Sequence, residues 1–262
     1  MHPVLFELGS IKVYSYGFMI AIGAVAGIIY MVIRGRKEIG LTFDQANGLF
    51  LSIFIAAVVG GKVFLFFEDV PYYTEHPGKL FSGSGFVFYG SFLFAIPTML
   101  WFFNRNKLPK YAMLDIMAGT TCLVHMFGRV GCFMAGCCHG KPVASGMGVI
   151  FTDPACHAEP KGVPLHAVQL YEAGFILLVF LIILFLRRRR KFYGQLFLTY
   201  LLSYAVGRYV LEFFRGDMER GFIIQDYLSH SQLVAIAIAA VTAWVYMRWS
   251  KQNRIDLHKK PI

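Results

Sequence analysis

The chain has 262 residues, of which 57% are hydrophobic, 16% aromatic and 15% charged, and its mean hydropathy is +0.57. A water-soluble globule is excluded, since such domains carry about a quarter charged residues. The formal net charge of +10 does not indicate nucleic acid, because the basic residues fall in short blocks between apolar stretches rather than along one face.

Apolar stretches long enough for the roughly 30 Å of hydrocarbon that a helix must cross recur along the chain. They predict seven spans, near 16–33, 46–67, 86–103, 111–127, 168–186, 194–213 and 231–247. The expected fold is therefore an all-α polytopic membrane protein forming one integral domain over 1–262. The first ten residues lack a basic start and the first apolar run is long enough to stay in the bilayer, so a retained span is expected rather than a cleaved signal.

Alternate loops hold Arg34, Arg36 and Lys37, then Arg105, Lys107 and Lys110, then the basic run 187–191, and finally Arg248, Lys251, Arg254, Lys259 and Lys260. The other loops mix basic with acidic residues, among them Glu68, Asp69, Glu75, Asp153 and Glu159. By the positive-inside rule the C-terminus is cytoplasmic and the N-terminus outside. The longest stretch without helical pattern, about 129–167, is then a small irregular head on the outer, periplasmic face, between the fourth and fifth spans.

Two segments carry charges that a passive bundle does not need. In the sixth span Tyr204, Arg208 and Glu212 are four apart and share one helix face, with Arg215 following. An ionised residue deep in a bilayer costs about 2.5–3.5 kcal/mol even on a lenient scale, so these groups face partners or a wet cavity. Two readings stand: an Arg208–Glu212 pair that staples helices, or an anion site built on a guanidinium fork that suits phosphate. The other segment starts where the fourth span ends and holds His125, Gly128, Arg129, Gly131, Cys132, Gly136, Cys137, Cys138, His139 and Gly140. Its glycines allow close backbone approach beside a fixed cation, as in a phosphate cradle, although glycine at membrane depth also serves helix packing.

On these residues the chain resembles the prolipoprotein diacylglyceryl transferases. The family's G-R-x-G-N-F-x-N-x-E-x-x-G signature is matched at Gly128, Arg129, Gly131, Phe133 and Gly140. The H-P-x-Q-L-Y-E run is matched at His166, Gln169, Leu170, Tyr171 and Glu172, and the Y-x-x-x-R-x-x-x-E-F-F-R run at Tyr204, Arg208, Glu212, Phe213, Phe214 and Arg215. Tyr16-Gly17 and a Gly60-Gly61-Lys62 turn also fit, with Lys62 in place of the usual Arg. Departures are clear as well: Tyr89-Gly90-Ser91 stands where the family has H-G-G, and Cys132, Ala135 and Cys137 replace Asn, Asn and Glu of the signature.

The resemblance implies a multi-pass enzyme of the bacterial inner membrane that needs neither cofactor nor metal. It would move a diacylglyceryl group from phosphatidylglycerol to the lipobox cysteine of a prolipoprotein signal peptide, with glycerol phosphate leaving. It places Arg129, Arg208, Glu212 and Tyr16 in catalysis. Arg129, Arg208, Arg215, Tyr204, Gln169, Tyr171, Glu172 and Tyr89 would bind substrate. Arginines that hold the lipid phosphate also stabilise the charge gathering on the leaving group. For a base that turns the acceptor thiol into thiolate, the candidates are Tyr16, Tyr89, Glu212, His125 and His139. His125 shares a face with Arg129 if the fourth span continues that far. Read without the resemblance, Tyr171 and Glu172 are an interfacial aromatic and a carboxylate near a helix start.

Cys132, Cys137, Cys138 and Cys156 lie near His139, His157 and His166 in sequence. Their spacing fits no common zinc or iron–sulfur pattern. A disulfide from Cys156 to Cys137 or Cys138, packed free thiols, and a lipid-bearing cysteine all stay open. The departures leave two other functions: a paralogue with a different acceptor, or a redox or metal-handling membrane protein built on the Cys/His cluster.

Overall fold

The computed structural model describes residues 2–9, 11–81, 85–144, 146–216, 222–224 and 228–252. In chain order the elements are a hairpin of β1 (Val4–Leu8) and β2 (Ile11–Tyr14), then α1 (Ser15–Ile39) and α2 (Phe43–Glu68). Two short helices follow, α3 (Val70–Glu75) and α4 (Pro77–Leu80), and then α5 (Phe88–Arg105) and α6 (Lys110–Ala135). After β3 (Val149–Ile150) and β4 (Pro164–Leu165) come α7 (Val168–Arg187), α8 (Gln195–Leu211), a 3-10 turn at Glu212–Phe214, β5 (Phe222–Ile224), β6 (Leu228–Ser229) and α9 (His230–Gln252). Five helices are long and apolar enough to cross a membrane: α1, α2, α6, α7 and α9. The chain is thus helical and polytopic; α5 and α8, with 18 and 17 residues, cover the other two predicted stretches.

Contacts group the chain into two units, Met1–Met31 with Leu114–Ile262, and Val32–Met113. In the second unit α2 begins with a capping box: the Thr42 hydroxyl accepts the Gln45 amide and the Gln45 side chain accepts the Thr42 amide, which satisfies two of the helix's orphan donors. The Gly60-Gly61-Lys62 segment is not a turn but lies within α2. Its glycines let α2 cross α5 backbone to backbone, since a Cβ on Gly60 would stand 2.3 Å from the Gly90 carbonyl oxygen, and the reverse holds for Gly90. Lys62 donates to the Gly85 carbonyl at 2.9 Å.

In the first unit the Ser15 hydroxyl donates to the His2 carbonyl where the hairpin meets α1. Gly23 and Gly27, one turn apart, bring α1 close to α6: a Cβ on Gly23 would lie 2.9 Å from the Phe127 Cβ, and one on Gly27 3.0 Å from a Val124 methyl. Ala118, Cys122, Ile176, Val179, Ile183, Leu196 and Tyr200 join α6, α7 and α8 in one apolar core. At one end of that core Asp115 of α6, fully buried, accepts the backbone amides of Gly194, Leu196 and Phe197 at 3.0, 2.8 and 3.2 Å. It therefore caps α8, whose own N-cap, Gly194, has no side chain to offer. Arg187, read from sequence as part of a solvated basic loop, is instead buried at the end of α7 and donates to the Tyr30 hydroxyl at 2.8 Å and the Asp115 carbonyl at 3.2 Å.

The head starts later than the expected residue 129. Helix α6 runs on past 127 to Ala135; Gly128 and Gly131 sit inside it, the latter packed against Tyr16 and Met19 of α1. It ends at Gly136, whose φ of 76° is left-handed. The Cys137 amide reaches back to the Cys132 carbonyl at 3.1 Å and the Gly136 amide to Phe133 at 3.2 Å, the bonding pattern of a Schellman cap. Beyond it the head pairs β3 with β4 antiparallel, Val149 opposite Leu165, over a small core of Phe151, Cys156, Ala158 and Leu165.

Candidate active site

Four turns of one helix face supply the first wall. Tyr200, Tyr204, Arg208 and Glu212 follow one another at intervals of four, so the face predicted from the last three extends one turn further back. The rings of Tyr200 and Tyr204 stack with planes 10° apart. Arg208 Nη1 lies 2.6 Å from Glu212 Oε2, and Nη2 donates to the Ser231 hydroxyl of α9 at 3.1 Å. The ion pair named as one alternative from sequence is present, and it also ties α8 to α9.

The second wall comes from the extra turns of α6 and the first turns of α7. Arg129 Nε is 3.0 Å from Glu172 Oε1, and His125 Nε2 is 3.0 Å from the same oxygen. With its proton on Nε2, the His125 ring donates to Glu172, and its Nδ1 faces the Tyr200 hydroxyl at 3.5 Å; its edge packs on Tyr204. Glu172 is 1% exposed, so it is not an interfacial carboxylate at a helix start but the buried counter-ion of Arg129. A carboxylate so placed requires such partners, given the desolvation it has undergone. Two buried acceptors, Gln169 Oε1 and Glu172 Oε2, have no hydrogen-bond partner among the described residues.

A floor is formed where α6 ends. The sulfurs of Cys132, Cys137 and Cys138 lie within 4.8 Å of one another, and Gln169 Nε2 donates to the Cys137 carbonyl at 2.7 Å. Hydrogen bonds from the Cys132 and Cys137 thiols hold the Cys138 thiol below its usual range, and the Arg215 and Arg129 guanidiniums act in the same direction. Cys137 moves the other way, through its hydrogen bonds with Cys132 and Cys138 and through burial. Cys156 belongs to the head core, where burial pushes its thiol up. All five cysteines are free, so of the alternatives left open by the sequence the Cys156 bridge is not the one formed.

The remaining candidates divide. Tyr16 borders the cysteines, is 44% exposed and packs beside Gly131. Arg215 is 6% exposed, and its backbone bridges to Gly140; a Cβ on Gly140 would meet the Phe214 carbonyl at 2.6 Å. Tyr171 meets His166 Nδ1 through its hydroxyl at 3.3 Å and leans on Phe214. His139 is engaged at both ring nitrogens, Nδ1 with the Gly140 carbonyl and Nε2 with the Glu159 amide. Tyr89 lies on α5 in the second unit and is 76% exposed. Sequence reasoning missed Tyr200, which the four-residue spacing could have found, and Ser231, for which no local signal exists.

Part-buried ion pairs within apolar helices define a polytopic membrane protein with a charged site among its helices, where ionisable residues ordinarily mark function. The model of the prolipoprotein diacylglyceryl transferase family matches residues 3–248. The chain is 34% identical over 247 residues to the phosphatidylglycerol–prolipoprotein diacylglyceryl transferase of Clostridium tetani (strain Massachusetts / E88), covering 94% of this chain and 97% of the relative. It is 32% identical to the second such enzyme of Clostridium perfringens (strain 13 / Type A), covering 91% of each chain. It is 31% identical to that of Dehalococcoides mccartyi (strain CBDB1), covering 97% of this chain and 96% of the relative. This chain belongs to the prolipoprotein diacylglyceryl transferase family.

Proposed function

We propose that this protein transfers a diacylglyceryl group from phosphatidylglycerol to the lipobox cysteine thiol of a prolipoprotein, and that glycerol phosphate leaves. The observation that carries the reading is the pair of part-buried arginines, Arg129 and Arg208, each within 3.0 Å of a carboxylate. Arg129 meets Glu172 through Nε, which leaves its terminal Nη fork for a phosphate. Arg208 and Arg215 add positive charge where the leaving phosphate gathers negative charge, an electrostatic role of the kind that usually contributes most to catalysis. The free acceptors on Gln169 and Glu172 suit the hydroxyl donors of a glycerol headgroup. In the transfer the acceptor thiolate attacks the glyceryl carbon that bears the phosphate; a C–S bond forms as the C–O bond breaks, and the electron pair departs on the phosphate oxygen.

The same reading places seven helices across the inner membrane, with the N-terminus and head outside and the C-terminus in the cytoplasm, following the basic loops. A fluorescent protein fused after Gln252 should fluoresce, and alkaline phosphatase at the same point should be inactive; active phosphatase would invert the topology. Transfer is tested in a strain depleted of its own diacylglyceryl transferase, with a reporter lipoprotein read by mobility and mass. The wild-type chain should yield the diacylglyceryl adduct, and Arg129→Ala and Arg208→Ala should lower it by at least about a hundredfold. No adduct from well-expressed wild type, or full adduct from both variants, would overturn the reading.

A further inference from the structure

We propose that Cys132, Cys137 and Cys138 form a three-thiolate site for a thiophilic divalent cation of the zinc class, with the fourth coordination position left for an exogenous ligand. The three sulfurs already lie within 4.8 Å of one another. Tetrahedral zinc–thiolate geometry, with Zn–S near 2.3 Å, sets sulfurs about 3.8 Å apart, so side-chain rotation closes the difference. The spacing C-x4-C-C matches no standard ligand pattern because the chain reverses between the first cysteine and the next two: the Gly136 cap folds Cys137 back onto the last turns of α6.

The backbone holds the arrangement. Cys138 has a φ of 60°, a left-handed conformation unfavourable for a side-chain-bearing residue and kept only where its surroundings enforce it. Gln169 grips the Cys137 carbonyl at 2.7 Å, and the Gly140 bridge to Arg215 fixes the loop just beyond. Among the described residues no fourth protein ligand is at hand. His139 has both ring nitrogens engaged, and Cys156 is packed in the head core. Three protein ligands with one open position is the coordination of catalytic rather than structural zinc. A divalent cation with three thiolates carries one net negative charge, which the neighbouring Arg129 and Arg215 offset.

The open position has a use that rests on the transferase reading. An acceptor thiol entering as fourth ligand gives its proton to water and is held as thiolate. Its sulfur then attacks the glyceryl carbon as the bond to phosphate breaks, and the neutral thioether that results is a weak ligand that departs.

The test uses the reduced full-length protein in detergent, loaded with zinc and desalted. One zinc per chain is expected by elemental mass spectrometry, and cadmium in its place should give thiolate charge-transfer absorption in the near ultraviolet. Cys137→Ser and Cys138→Ser should each lower bound metal at least about tenfold, and Cys156→Ser should leave it unchanged. Independently of any variant, zinc should protect the peptides bearing Cys132, Cys137 and Cys138 in the wild type from maleimide. Absence of bound zinc, unprotected thiols, or metal retained when all three are Ser would overturn the site. If chelation abolishes transfer and zinc restores it, the catalytic use stands; full turnover by metal-free enzyme overturns that use. Protein that binds zinc but never transfers overturns the transferase reading and leaves the metal site intact.

Discussion

Glu172 offers one oxygen to both His125 and Arg129, each at 3.0 Å, inside the bundle. Removing one member of such a pair leaves an uncompensated buried charge, at a cost of about 3–5 kcal/mol. Glu172→Gln should therefore lower the thermal midpoint in detergent and abolish transfer together. Arg129→Gln combined with Glu172→Gln should regain most of the stability and none of the activity, since the second neutral group removes the mismatch but not the need for a cation. If the double variant melts no higher than Glu172→Gln alone, the two side chains are not a balanced pair. At this scale the sequence was uneven in what it disclosed. The pairing of Arg208 with Glu212 follows from helical spacing, but Arg129 and Glu172 stand on different helices, and no local pattern predicts their meeting. The cysteines were visible, whereas their cluster depends on the reversal at Gly136.

Helices were the most legible feature, because runs of apolar residues report membrane depth directly. What hydropathy did not show was where a helix outlives its apolar run. Residues 128–135 of α6 include Gly128, Arg129 and Gly131, which lower local hydropathy while the helix continues against α1. Those extra turns are what bring His125, Arg129 and Cys132 onto a common helix. The start of α8 was placed well by hydropathy, but its cap was hidden, since it is Asp115, some eighty residues earlier in the chain. Bonds from backbone amides to a carboxylate are charge-assisted, so Asp115→Ala should remove about 3 kcal/mol or more. The melting point in detergent would then fall by about 5–10 °C. A shift below about 1 °C would mean that water replaces the lost acceptor.

Over the whole chain, polar groups concentrate in two regions of the first unit. One holds the arginines, carboxylates and thiols of the candidate site; the other holds Asp115, Arg187, Arg190 and Tyr30. The apolar core of α6, α7 and α8 lies along the helices that connect them. Within the second unit, α2 and α5 are joined by glycine contact, Gly60 against Gly90 of the Tyr89-Gly90-Ser91 segment.

Asp115 also imposes an order on biosynthesis. The ribosome delivers α6 well before it makes Gly194, Leu196 and Phe197, so for that interval the carboxylate has no amide to receive. An acid without partners keeps its hydration, so the setting that buries Asp115 is complete only when α8 supplies its amides. A chain halted short of residue 194 thus leaves this carboxylate without those three donors, and completion provides them.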